Sequence, residues 1–459
     1  MRNDYWEKHE SEISAKISEL WAHAELPLLE YESSEILCKW LEENEFTVER
    51  ALCGMKTAFK ATYGSGKPVI GILAEFDGMD GLSNDAVPYR KATARRAGHA
   101  CLHCHIGGSN TGAAIAVKDY IKETKLGGTV VVVGCPAEEI LYGKVALLGE
   151  GGFDGLDVLL TCHVDYQNAA VSQPTLPCIS GEFLFGGISS HTGAARAHNA
   201  LDGVELAVQS IERMRAHQFP KTSVEHVVRN GGKMPNITPD RASLWINVRD
   251  ADYEKCKSIY EYCREIVNES AKIAGVSVAE GFLAATRGYL PNDTLGDLMW
   301  KNLNEVGTVR YTDEELDQIR ELSVNCTGNA NVKSFPELMY LKGGVDPYSQ
   351  DDGEASWHIP LGRLNWEIPA QIPLHNWATT AIAGMDCTKK GALMCSQTIF
   401  MTAADIFEDP AIAEKAEKER KTLINGAEVS APLYDNYELL TKAPEKFWDG
   451  TWLEEKLSK

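Results

Sequence analysis

The sequence predicts an α/β protein in which a doubly wound, mixed sheet is interrupted by a smaller α+β sandwich. Three observations lead there. Short aliphatic runs beside glycines alternate with helical patterns over residues 1–178; half-polar strands and amphipathic helices take over across 179–290; helical patterning resumes at Asp293. At 459 residues the chain has room for two or three domains. The expected divisions are 1–178, an insertion at 179–290, and a return at 291–459.

Trp6 to Trp21 and Tyr31 to Leu41 carry apolar residues at helical spacing. Strands follow at Thr57–Thr62, Val69–Ala74, Thr129–Val133 and Val158–Cys162; the last three are continuous aliphatic runs, as centrally buried strands are. Asn110-Thr111 reads as the cap of a helix over Gly112–Lys125. Gly64-Ser-Gly66-Lys67 has a phosphate-loop flavour, but Ala61 and Pro68 break that pattern, leaving a hairpin turn. In the insertion, strands near Phe183–Phe185, Ser223–Val228 and Ala242–Val248 and helices over Ala200–Ala216 and Tyr253–Ala274 fit a β-α-β-β-α-β, ferredoxin-like order. Gly391–Ile406 reads as a core helix and Glu414–Lys421 as a solvated helix face. The aromatic tail (Tyr434, Tyr437, Phe447, Trp448, Trp452) is expected to pack on the body or on a partner.

The apolar fraction of 44% suits a large core, and a net charge of −21 argues against a nucleic-acid partner. Neither a signal-peptide core nor an 18-residue apolar run is present, so no membrane association and a cytoplasmic location are expected. Twelve scattered cysteines then read as buried thiols or metal ligands.

Gly98-His-Ala-Cys101-Leu-His103-Cys104-His105 concentrates borderline and soft ligands in one loop before a helix, which suits a divalent metal. Taken alone, Cys101-x-x-Cys104 could also be a redox pair, and the cluster could be buried structural residues. Glu138-Glu139 follows an apolar strand, at the edge where open α/β sheets bind ligands; one carboxylate could hold a metal while its neighbour faces water, or both could be solvated turn acids. His163 leaves a buried strand and His375 precedes a helix, and each alone is equally compatible with a structural histidine. Their convergence on one edge raises all four segments together.

In this order, these segments resemble the metallopeptidase and amidohydrolase family that includes carboxypeptidase G, aminoacylase and the plant auxin-conjugate hydrolases (peptidase family M20). The similarity runs from Glu19-Leu-Trp-Ala-His-Ala-Glu-Leu through Gly71-Ile-Leu-Ala-Glu-Phe-Asp77-Gly-Met-Asp80, Gly98-His-Ala-Cys101, Pro136-Ala-Glu-Glu139, Gly232-x-x-Pro235-Asn236 and Ser356-Trp357 to the His375 segment. The resemblance implies a zinc-exopeptidase-like catalytic domain with an inserted dimerisation domain, and hence a homodimer. It also implies one or two divalent ions, zinc or manganese, at Cys101, His103, Glu139, His163 and His375, with Cys101 bridging. Glu138 is implied as general base, and Asp77 as a carboxylate supporting the ligands. His191 would polarise the scissile carbonyl; Asn236 and Arg249 would hold substrate, the histidine and asparagine often reaching the active site of the other copy. The substrate would be an N-acyl amino acid, aminobenzoyl-glutamate or a dipeptide-like amide.

The chain departs from the family at Leu102, where glycine is usual, and at Cys104 and His105. A leucine there is expected to need a negative φ or a local rearrangement. The segment after His191 lacks a common proline and reads as shortened. Ammonia release from an aromatic amine, a non-catalytic partner subunit, and a redox or zinc-storage protein built on Cys101 and Cys104 are the competing readings.

Overall fold

A computed structural model of the chain describes residues 2–192, 198–332 and 337–457. Helices α1 (Arg2–Ala22) and α2 (Tyr31–Glu43) precede strands β1 (Thr47–Arg50), β2 (Phe59–Ser65) and β3 (Val69–Glu75). A short pair, β4 (Met79–Asp80) and β5 (Ala97–Gly98), leads to α3 (His103–Thr124), β6 (Gly128–Cys135), α4 (Gly143–Gly149), β7 (Val158–Asp165) and β8 (Asn168–Ser172). The insertion runs β9 (Cys178–Gly186), α5 (Ala200–Gln218), β10 (Ser223–Asn230), β11 (Arg241–Arg249), α6 (Tyr253–Ala274) and β12 (Ser277–Thr286). The chain returns through α7 (Asp293–Val306), α8 (Asp313–Thr327), β13 (Leu338–Lys342), α9 (Asp352–His358) and β14 (Leu361–Glu367). Then come α10 (Trp377–Ala383), α11 (Asp386–Glu408), α12 (Ala411–Leu423) and β15 (Leu433–Tyr434).

The large sheet has the order β1-β2-β6-β3-β7-β14-β8-β13. Strands β6, β3, β7 and β14 run parallel, whereas β2 and β8 are antiparallel to their inner neighbours. Every residue of β6 is buried, and every residue of β7 except Asp165, which explains their unbroken aliphatic runs. From β3 the chain crosses to β6 on one side and then to β7 on the other. That reversal opens a crevice at the carboxyl ends of β3, β6 and β7, where open α/β sheets bind ligands. Because β6 lies between β2 and β3, the Gly64–Lys67 turn is a tight link and not the hairpin expected from sequence.

Helix α3 starts at His103, nine residues before the expected Gly112, and Asn110 and Thr111 lie buried inside it instead of capping it. The residues that read as helix breakers are close-packing devices. Asn110 Nδ2 donates to the Leu73 carbonyl at 2.8 Å. A Cβ on Gly107 would come within 2.6 Å of the Glu75 carbonyl oxygen, and one on Gly112 within 2.3 Å of Ile13 Cγ1. Helix α3 thus rides directly on β3 and α1. Gly107→Ala is expected to lower stability by about 1–3 kcal/mol through overpacking. Gly127→Ala, whose Cβ meets nothing within 4 Å, leaves the urea midpoint unchanged.

The inserted sheet has the order β10-β11-β9-β12-β15 with antiparallel pairs throughout, and α5 and α6 cover it through Phe183, Phe185, Ile211, Leu244, Ile259 and Val267. Its first four strands realise the ferredoxin-like order. The fifth comes from the tail, where Tyr434 and Leu433 pair with Ala284 and Ala285. Phe447 and Trp452 are buried, Phe447 meets Trp245 of β11 edge-on at 5.4 Å, and Trp448 Nε1 donates to the Pro27 carbonyl at 2.7 Å. The tail therefore packs on the body, bracing the insertion against the larger domain. No helix among the described residues is long and apolar enough to cross a membrane.

Candidate functional site

Three loops at the crevice are held by four residues in the left-handed region: Leu102 (φ 57°), Ala137 (φ 60°) with Leu141 (φ 56°), and His375 (φ 57°). Each costs roughly 1–2 kcal/mol for a residue with a Cβ, and such strain persists only where surroundings impose it. Leu102 thus keeps the conformation a glycine would favour, against the expectation of a negative φ; its fully buried side chain anchors it. Ala137 donates its N–H to Glu30 Oε1 at 2.9 Å, and His375 donates its N–H to the Ala100 carbonyl at 3.0 Å. The second bond ties the loop before α10 to the loop before α3.

These loops bring distant side chains together. The ligand atoms of Cys101, His103 and His163 lie within 4.8 Å of one another, and so do those of Cys101, Glu139 and His375. Cys101 belongs to both groups. Its Sγ is 3.6 Å from His163 Nε2, and His375 Nε2 is 3.6 Å from Glu139 Oε2. The two buried imidazoles are oriented from behind: His103 Nδ1 meets Asp77 Oδ1 at 2.7 Å and His163 Nδ1 meets the Val164 carbonyl at 2.7 Å. With the Nδ1 protons given to those acceptors, both Nε2 lone pairs face the crevice. Asp77 Oδ2 also accepts the Glu139 N–H at 2.9 Å, so one buried carboxylate fixes parts of both groups.

The buried atoms His103 Nε2, Glu75 Oε2, Glu138 Oε1 and Glu139 Oε1 have no hydrogen-bond partner. Unmade bonds on buried acceptors are costly, and here they converge on one point with a thiol. Around a tetrahedral zinc, ligand atoms stand roughly 3–4 Å apart, so the two groups fit one cation each. Burial and the Glu139 carboxylate push the Cys101 thiol well up, so its thiolate needs a cation beside it. Burial holds His163 down at about 3, which keeps it a neutral donor.

Behind the acceptors lies a charge network that sequence reasoning missed. Lys144, with no exposed surface, stands 2.7 Å from Glu75 Oε1 and 2.5 Å from Asp351 Oδ1. Burial alone would raise Glu75, but Lys144, then His103 and His163, outweigh it and hold it at about 2. Burial first, then the Glu75 and Asp351 carboxylates, keep Glu138 well above the ordinary carboxyl range. Glu75 and Asp77 sit two residues apart at the end of β3, a spacing that could have flagged Glu75; nothing comparable marks Lys144 or Asp351.

Cys101, Glu138, Glu139, His163, Arg249 and His375 line one cavity of about 510 Å³ between the two domains. Arg249 donates from Nε to Glu225 Oε2 at 3.0 Å. His191 and Asn236 do not line it. They lie exposed and side by side on the insertion, where His191 bridges to Ile237 and the Thr192 N–H donates to the Asn236 carbonyl. Residues 193–197 of the shortened segment fall outside the described residues. Of the cysteine- and histidine-rich loop, His99 and His105 turn inward to the Leu20 and Ala383 carbonyls and Cys104 enters the core. Cys101 and Cys104 are both free thiols.

Residues 178–274 match the peptidase dimerisation domain. The chain is 28% identical to one of the p-aminobenzoyl-glutamate hydrolase subunits of Escherichia coli, over 93% of this chain and 95% of that one. It is 25% identical to the Xaa-Arg dipeptidase of Mus musculus, over 87% and 84% of the two chains. Among solved structures, the Bacillus subtilis YXEP protein, a dinuclear metal-binding peptidase from the M20 family, superposes with a TM-score of 0.58 at 18% identity, covering 88% of this chain and 99% of that one. Aminobenzoyl-glutamate utilization protein from Klebsiella pneumoniae gives 0.58 at 13% identity over 86% and 98%. A dimerisation domain set into a sheet of this topology, with hydrolase relatives aligned nearly end to end, supports peptidase family M20 for the chain and makes it a hydrolase of carbon–nitrogen bonds.

Proposed function

We propose that the chain hydrolyses the amide bond of an N-acyl amino acid, with aminobenzoyl-glutamate and dipeptide-like amides in the same class. The observation that carries this is the sharing of Cys101 between two groups of ligand atoms beside an unpartnered carboxylate oxygen, Glu138 Oε1. In this reading His103 and His163 would hold one divalent ion, zinc or manganese, Glu139 and His375 would hold the other, and Cys101 would serve both. Bound in this way, the cations supply Lewis acidity and a lowered pKa for water. Glu138 Oε1, buried and raised in pKa, takes the proton of the attacking water and returns it to the leaving amine. Asp77 holds the His103 tautomer and the Glu139 backbone in register. Arg249 orients a substrate carboxylate in the cavity. The outward placement of His191 and Asn236 on the dimerisation domain supports a homodimer in which each copy completes its partner's site.

The test combines metal analysis with turnover on a panel of acyl amino acids, dipeptides and aromatic amines. Two ions per chain are expected, with activity lost to chelator and restored by zinc or manganese. Cys101→Ala is expected to lose at least one ion per chain and, since altered metal ligation typically costs 10-fold or more, to cut turnover at least about 10-fold. Full activity in metal-stripped protein sinks the reading, and release of ammonia from an aromatic amine alone would replace the substrate class.

A further inference from the structure

Three arginines are buried among the described residues, and two are fully engaged. Arg287 pairs with Glu354, and Arg420 donates to Glu417 Oε2 at 2.7 Å and to the Trp357 carbonyl. Arg363, 3% exposed in the middle of β14, is different. Its Nε and Nη1 have no hydrogen-bond partner, and the Asp352 carboxylate is 4.0 Å away, outside hydrogen-bond reach. Asp165 accepts from the Tyr166 N–H at 2.7 Å and from Asn365 Nδ2 at 2.6 Å and does not meet the Arg363 Nε or Nη1. A buried guanidinium with unmade bonds is among the most costly groups a core can hold.

Arg363 lines the same cavity as Cys101, His163 and Arg249. Register pairs Arg363 with Thr161 and Asn365 with His163, so it stands on the strand next to the one that carries a candidate ligand. Three other lining residues repeat the anomaly: Ser349 Oγ, Gln350 Oε1 and Asn247 Oδ1 are buried without partners. A guanidinium, a hydroxyl and two amide oxygens with unmade bonds, all from residues that line one cavity, suit a carboxylate together with N–H donors.

We propose that Arg363 is a specificity-determining residue that binds a carboxylate of the amide substrate against β14, on the sheet side of the cavity from Arg249. The inference rests on the amidohydrolase reading for the ligand being an amide. The ligand class is then an acyl amino acid with a carboxylate on its amino-acid part, and Ser349 and Gln350 complete the contact. Burial works against the charge of Arg363, and Asp352 and Asp346 outweigh that and keep the guanidinium ionised.

The test uses the zinc-loaded Glu138→Gln protein and calorimetric binding of p-aminobenzoyl-glutamate, its α-amide and its γ-amide. Adding Arg363→Met is expected to weaken p-aminobenzoyl-glutamate and one of the two amides about 100-fold. The amide that lacks the contacted carboxylate is unaffected, and this identifies which carboxylate is held. Arg363→Lys keeps part of the affinity. Equal weakening of all three probes or no weakening of any overturns the proposal. Turnover of the same probes by the unsubstituted holoenzyme is a separate readout: carboxylate-selective binding without hydrolysis retires the hydrolytic reading and leaves the Arg363 subsite standing.

Discussion

Glu138→Gln is expected to lower kcat by about 10²–10⁴-fold while the protein keeps its metal content and its fold. The amide matches the carboxylate in shape and can still hydrogen-bond, but it cannot carry a proton from water to the leaving amine. A second effect runs the other way. Burial together with Glu75 and Asp351 raises the Glu138 carboxyl above its ordinary 4.5, so the folded state binds a proton at Glu138 more tightly than the unfolded state does. A raised carboxyl of this kind costs stability above the unfolded pKa and costs nothing below it. In chelator-containing buffer Glu138→Gln should therefore melt at or above the parent at pH 7, and the difference should vanish as pH falls toward 4. Activity lost with stability gained is the signature of a group kept for chemistry. A variant that retains a tenth or more of parental kcat would remove Glu138 from the proton path.

Much of the architecture is legible in the sequence because burial dictates it. Strands β6 and β7 are covered on both faces, and their aliphatic runs follow directly; in the insertion, β11 alternates and α6 is amphipathic because each has one less buried face. The first turns of helix α3, before Gly112, are hidden for the opposite reason. Gly107, Gly108 and Gly112 permit contact with β3 and α1 that no local rule foresees, so they read as punctuation. In the site, the cysteine- and histidine-rich loop and Glu138-Glu139 are conspicuous because like residues cluster in sequence. The loop nevertheless divides: Cys101 and His103 face the crevice, whereas His99, Cys104 and His105 face the core. Lys144 and Asp351 are 207 residues apart, and Arg363 is the single cation of a mostly apolar strand. Their partners, or lack of partners, exist only in three dimensions.

The largest stability effect is expected at Lys144. Its ammonium is enclosed, with Glu75 and Asp351 on either side and no exposed surface. Burial works against its charge, but the two carboxylates outweigh that and keep it well above the ordinary lysine range. Removing one member of such a group strands the others, which costs about 3–5 kcal/mol. Lys144→Met, similar in volume, should lose that amount at pH 7 in chelator-containing buffer. The pH dependence separates a charge effect from a packing effect. In the parent, Glu75 is held at about 2, below its ordinary 4.5. It therefore contributes stability above pH 4.5 that is lost as pH falls through about 2. Without Lys144, burial pushes Glu75 upward instead and drives Asp351 beyond the value of about 7 it has with its partner present. Both then take up protons on folding, so the variant gains stability relative to the parent as pH drops from 7 to 5. The check is a pair of urea unfolding series at those two pH values: a gap that narrows at pH 5 supports a buried counter-ion for the acids behind the crevice, and a gap of constant size assigns Lys144 to packing alone.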